Sequence, residues 1–170
     1  MLHKLTIIQF TALLNNLSAM LDKAEAYAEE KDFDVDVLLH SRLAPDQFDL
    51  MRQVQIVCDV TKIGIARITN TVDSTPVHED IETSVAQLQS RIDDVITHIN
   101  KFSADDFINL EDSKVALERW EGKYLTGQEF LIQCTIPNMY FHLSTAFAIL
   151  RHNGVMLGKD DFLGEMPYKM

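Results

Sequence analysis

The sequence predicts an all-α fold, a four-helix bundle with a small β-hairpin inserted before its last long helix. Apolar residues recur three and four apart along four long stretches, the spacing that places one stripe on one face of a helix. The segments between these stretches are short, as expected for neighbouring antiparallel helices. Hydrophobic residues make up 46% and charged residues 24% of the 170 positions, enough apolar surface for one sizeable core.

The first helix is expected over about residues 4 to 30, with Phe10, Leu13, Leu17, Met20, Ala24 and Tyr27 on one face. It ends where Lys31 to Asp36 turns acidic. The next helix is expected from Pro45, since a helical first turn tolerates the missing N–H. Leu50, Val54, Val57, Thr61 and Ile68 line one of its faces, Met51, Cys58 and Ile65 the adjacent one, and Gly64 permits another helix to come close. A third stripe, Ile81, Val85, Leu88, Ile92, Val95, Ile99 and Phe102, predicts a helix over about residues 80 to 102.

Ser103 to Asp106 can cap a short turn, and Val115 to Leu125 reads as the hairpin, with Glu121-Gly122 at its tip. Thr126-Gly127-Gln128-Glu129 is a capping box, in which hydroxyl and carboxylate satisfy free N–H groups reciprocally. It opens a helix that runs to Asn153, stops at Gly154 and is kinked near residues 133–137 by Pro137. Residues 1–170 are read as a single domain, with an extended tail from about residue 155.

Fifteen Lys and Arg against 26 Asp and Glu leave a formal net charge of −11. Binding phosphates requires a basic surface, so nucleic acid and anionic membranes are not expected as partners. No apolar run reaches the roughly 18 residues of a membrane-spanning helix. Two cysteines, Cys58 and Cys134, are too few for a disulfide framework and fit a reducing, cytoplasmic location.

Three stretches carry a family resemblance. They are Leu43-Ala44-Pro45-Asp46-Gln47-Phe48 running into Arg52-Gln53-Val54-Gln55; Gly127-Gln128-Glu129-Phe130 leading to Asn138 and His142; and Arg151-His152-Asn153-Gly154-Val155 with Leu157-Gly158-Lys159 and Asp161-Phe162-Leu163-Gly164. The chain resembles the DinB/YfiT-like superfamily, and within it a branch of unknown function. The resemblance implies a four-helix bundle, often a homodimer, and in some members a metal held by three histidines. One such histidine comes from the second long helix, and the others from an H-x-x-x-H pair on the last.

Here that pair reads Asn138-Met139-Tyr140-Phe141-His142, and no histidine lies between Pro45 and Asn70. Gln53, Gln55 and Asp59 are the nearest polar residues. Neutral amides are weak ligands for zinc, nickel or iron, so no cofactor is expected; a metal, if present, would use His142 and Asp59. Residues four apart share a helical face, which makes Gln55, Asp59, Asn138 and His142 candidates for one polar pocket.

Cys134 and His142 are eight residues apart, about 12 Å along a helix, too far for direct proton transfer. Two functions stay open beside a structural stress-response module without a small ligand. One is a small-molecule-binding or dimeric interaction protein with a degraded three-His site. The other is a metal-dependent or thiol-transferring enzyme using His142 with a non-standard ligand set.

Overall fold

Burial follows the apolar stripes almost residue for residue. The computed structural model describes residues 1–169. A π turn, Lys4–Ile8, leads into α1 (Gln9–Glu30), whose Phe10, Leu13, Leu14, Leu17, Met20 and Leu21 are buried. A short helix, α2 (Asp36–Leu39), follows and inserts Leu38 and Leu39 into the core. α3 (Leu50–Ile68) and α4 (Val85–Ile99) come next, then the strands β1 (Lys114–Ala116) and β2 (Tyr124–Thr126). α5 (Gly127–Phe130), a π turn at Leu131–Thr135 and α6 (Ile136–His152) continue one into the next. α3 packs chiefly on α6 and α4, while α1 packs chiefly on α4 and on the C-terminal α7 (Lys159–Leu163).

Local chemistry sets the ends of these elements. Thr126 and Glu129 form the expected capping box, with Glu129 N–H donating to the Thr126 hydroxyl and Thr126 N–H to the Glu129 carboxylate. α6 ends in a Schellman turn: Val155 N–H donates to Leu150 O and Gly154 N–H to Arg151 O, with Gly154 at φ 98°. Ser103 and Asp106 box the turn Ala104–Phe107. The hairpin pairs Val115 with Leu125 in antiparallel register. Its strands are shorter than expected, because a 3-10 turn at Glu118–Trp120 takes residues from the first of them.

Three boundaries differ from expectation. The second long helix begins at Leu50, not Pro45, because Asp49 is its cap: extended at ψ 173°, its carboxylate accepts the Arg52 N–H. α4 begins at Val85 behind the Ser84 cap, and Ile81, expected on its stripe, is 72% exposed. Within the tail expected to be extended, Lys159–Leu163 forms α7, with non-helical chain on either side. There Asp161 accepts the Gly158 N–H, Asn16 donates to Phe162 O, and the Phe162 and Phe147 rings meet edge to face.

Pro137 lies at the start of α6, directly after the π turn. Proline cannot donate its backbone hydrogen bond and crowds the carbonyl four residues back, and a widened turn accommodates both effects. The π turn brings Thr135 against Gly64 of α3, so closely that any Cβ at position 64 would overlap the Thr135 side chain. Gly64→Ala is therefore expected to destabilise the fold by about 1–3 kcal/mol, the range for overpacking a well-filled contact. Thr135→Ala removes the two nearest atoms and should recover part of that loss. Urea unfolding of the two single variants and the double variant measures the coupling.

Candidate functional site

α4 carries one charged residue on its buried face. Arg91 follows Leu88 by three positions and precedes Ile92 and Val95, so the helix turns its guanidinium into the interior, with the side chain 1% exposed. A buried charge must be paired, and here three carboxylates do it. Arg91 Nη2 donates to Asp59 Oδ1 at 2.8 Å, and Nη1 donates to Asp80 Oδ1 at 2.9 Å and Glu82 Oε1 at 3.0 Å.

Neighbours extend the cluster. Arg52 pairs with Asp80 and donates to Gln55 Oε1 at 3.2 Å, while Gln55 Nε2 donates to Glu82 Oε2 at 2.9 Å. Burial works against ionising Asp80 and Glu82, but hydrogen bonds and charge from Arg91 outweigh it and hold both carboxyls below their ordinary range. Burial likewise opposes the Arg91 charge, and Glu82, Asp59 and Asp80 overcome it.

Asp59 Oδ1 also lies 3.0 Å from Lys62 Nζ. The same buried amine donates to His78 Nδ1 at 2.6 Å, which requires a neutral imidazole. Burial, together with the Lys62 and Arg91 charges, keeps the His78 pKa below its ordinary value.

Two cavities flank this cluster along α3 and share the walls Asp59, Ile63 and Arg67. One, of about 290 Å³, lies under Val72 to His78 and takes Lys62 and His78 into its lining. The other, of about 150 Å³, lies between α3 and the π turn, lined also by Arg119, Phe130, Thr135 and Asn138.

The four residues expected in one pocket are divided by the tertiary structure. Asp59 and Asn138 line the smaller cavity together. Gln55 belongs to the carboxylate–arginine cluster. His142 sits apart, its Nδ1–H donating to Gln53 Oε1 at 2.7 Å, while Gln53 Nε2 donates to Phe48 O at 3.0 Å. Burial and the nearby Arg52 push the His142 pKa down, so the ring is neutral near pH 7.

As a metal centre the donors fit poorly. His142 is one imidazole bonded to the Gln53 amide, Asn138 lines a separate cavity, and Asp59 is already held by two cations. Among the described residues, no group of three or more His, Cys, Asp or Glu side chains is arranged to hold a metal ion. Cys58 is fully buried and its thiol is pushed up to about 12, chiefly by that burial, which removes it as a nucleophile.

Sequence reasoning missed Arg91, Lys62, Arg67 and Arg119. The first had a readable signal: a charge within the i, i+3, i+4, i+7 stripe of a strongly amphipathic helix is a buried charge awaiting partners. The two cavity arginines had none, because they meet only through the packing of α3 on the hairpin and π turn.

The family model described as "Domain of unknown function (DUF1993)" matches residues 2–163. The chain is also similar to a crystal structure of a DinB family member protein from Shewanella denitrificans. The two share 55% sequence identity at a TM-score of 0.98, covering 100% of this chain and 96% of the other. A search of curated proteins returns no match.

Replacing Arg91 by Leu leaves three carboxylates facing one another. The expected loss is about 3 kcal/mol at pH 7 by urea unfolding, the low end for breaking a buried pair, since Asp80 is itself partly exposed. In the native protein the depressed pKa values of Asp80 and Glu82 contribute stability that is fully present above the unfolded carboxylate range and is lost as pH falls below it, through the lowered native values. The gap between native and variant proteins should therefore hold from pH 7 to about pH 5 and narrow from there to about pH 3.

Proposed function

The chain belongs to the DUF1993 family of DinB-like helical proteins, and from that premise we propose that it binds a small organic molecule in the paired cavities along α3. The observation that carries this reading is the juxtaposition of apolar walls with convergent polar groups, Asp59, Arg67 and Asn138, at cavities that share a side. In this reading the four long helices form a DinB-like four-helix bundle, and the degraded three-His position serves structure. Its surviving imidazole, His142, holds α6 to α3 through Gln53, where relatives with three histidines would hold a metal.

Ile63 stands between the two cavities and is only partly buried, so a larger side chain can fill the space without disturbing the core. Ligand-observed NMR of a library of small polar aromatics and acids against the full chain should return binders. Ile63→Trp should weaken them about tenfold or more, a loss of about 1.4 kcal/mol. An empty screen, or binders indifferent to Ile63→Trp, would count against a cavity ligand.

A homodimer is part of the same proposal. Phe48 is 56% and Phe141 59% exposed, one stacked by Arg52 and the other beside His142, and the Gln53 hydrogen bonds join their two segments. Light scattering at micromolar concentration should give twice the monomer mass, falling to the monomer mass in the double variant Phe48→Glu, Phe141→Glu.

A further inference from the structure

Arg67 and Arg119 are an anomaly in a chain with this excess of acid. Each faces the smaller cavity, yet neither makes an ion pair or side-chain hydrogen bond among the described residues. Every other arginine has a polar partner: Arg42 pairs with Asp49, Arg52 with Asp80, Arg91 with three carboxylates, and Arg151 donates to a carbonyl. With 26 Asp and Glu available, Arg67 and Arg119 line one cavity without a carboxylate partner of their own.

The surroundings hold them in place. The Arg67 guanidinium lies 5.8 Å from the Phe130 ring centroid, and Phe130 is itself buried and met edge to face by Trp120. Arg119 is carried on the 3-10 turn of the hairpin, which packs over this end of α3 through β1. Burial and the Arg119 charge both work against the charge on Arg67, a mutual repulsion that an anion between them would relieve.

Thr135 lines the same cavity, and its buried hydroxyl has no hydrogen-bond partner among the described residues. A buried hydroxyl left unpaired forfeits the hydrogen bonds it made to water, which a ligand could restore. Asn138, in the next turn, adds an amide with both donor and acceptor.

We propose that Arg67 and Arg119 form the anion-recognising end of the cavity, and that its ligand is a small organic carboxylate whose apolar body lies against Phe130. The proposal deepens the small-molecule reading and rests on it. Two guanidinium forks suit the planar geometry of a carboxylate. Asp59, in the same wall, already carries a negative charge offset by Arg91 and Lys62, which favours a singly charged ligand over a dianionic phosphate. The volume of about 150 Å³ admits a ligand the size of a small aromatic acid.

Cys134 is a reporter already in the site, half-buried in the lining of this cavity, while Cys58 is fully buried. Iodoacetate and iodoacetamide alkylate it by the same displacement: the Sγ–C bond forms, the C–I bond breaks and iodide leaves. Only iodoacetate carries a carboxylate. Any change in the thiolate fraction affects both reagents alike, so the ratio of their rates reads the attraction for a carboxylate.

The experiment measures that ratio at Cys134 by peptide mapping in the folded full chain and in Arg67→Gln, Arg119→Gln and the double variant. We expect the iodoacetate-to-iodoacetamide ratio to fall about tenfold in the double variant, with a partial fall in Arg119→Gln. Arg119 is exposed, so that single variant keeps the test valid if loss of Arg67 disturbs folding. Benzoate should protect Cys134 from iodoacetamide in the native chain and lose its protection in the double variant, whereas benzamide should protect in neither. An unchanged ratio overturns the proposal. Equal protection by benzamide and benzoate, insensitive to the arginines, also overturns it while leaving a small-molecule cavity intact. Loss of the cavity reading itself would appear in the Ile63→Trp comparison.

Discussion

The buried guanidinium of Arg91 is the interaction on which the site depends. A charge on the core face of α4 cannot stay unpaired, and the carboxylates that pair it come from two places: Asp59 on α3, and Asp80 and Glu82 on the segment leading into α4. That requirement draws residues 79–82 onto the helices, leaves Ile81 in solvent and roofs the larger cavity with Val72 to His78. It also makes Asp59 a wall of both cavities while compensating its charge. One arginine on the apolar face of α4 thus holds a loop, fixes a carboxylate and sets the electrostatics of the space beside it.

A second constraint acts on α3 from the chain entering α6. Pro137 and the π turn before it set the course of the chain entering α6, and Gly64 lets Thr135 come close. The same turn carries Cys134 and presents Asn138 one turn later, so the feature that relieves the proline also supplies the cavity's polar wall. The widening serves packing first. Beside it lies the smaller cavity, lined by Arg67 and Arg119 and separate from the Gln53–His142 pair.

The long helices were legible because burial needs only a stripe, and three-and-four spacing writes that stripe into the chain. Caps were legible where chemistry is local, as at Thr126 and Glu129, at Ser103, and at Gly154. Starts were misread where two local signals competed. Pro45 fits a helical first turn, but Asp49 can accept an N–H and Pro45 cannot. Ile81 continues the α4 stripe by spacing, yet Ser84 caps the helix and the pull of Arg91 on its neighbours decides the matter. Within the tail α7 formed because Asp161 caps it locally at Gly158 and Asn16, far away in the sequence, donates to Phe162 O.

By itself the sequence determined the helical class, the hairpin and those helix ends whose caps are local, because each is written in neighbouring residues. It also placed Asn138 and His142 on one helical face. Only the tertiary structure decided that His142 answers to Gln53, that Gln55 serves the arginine cluster, and that Asp59 and Asn138 meet across a cavity. The reason is physical. Spacing along a helix fixes the face a residue occupies, whereas a site is made by which faces meet, and that is set by Arg91, Gly64 and the π turn acting between elements distant in sequence.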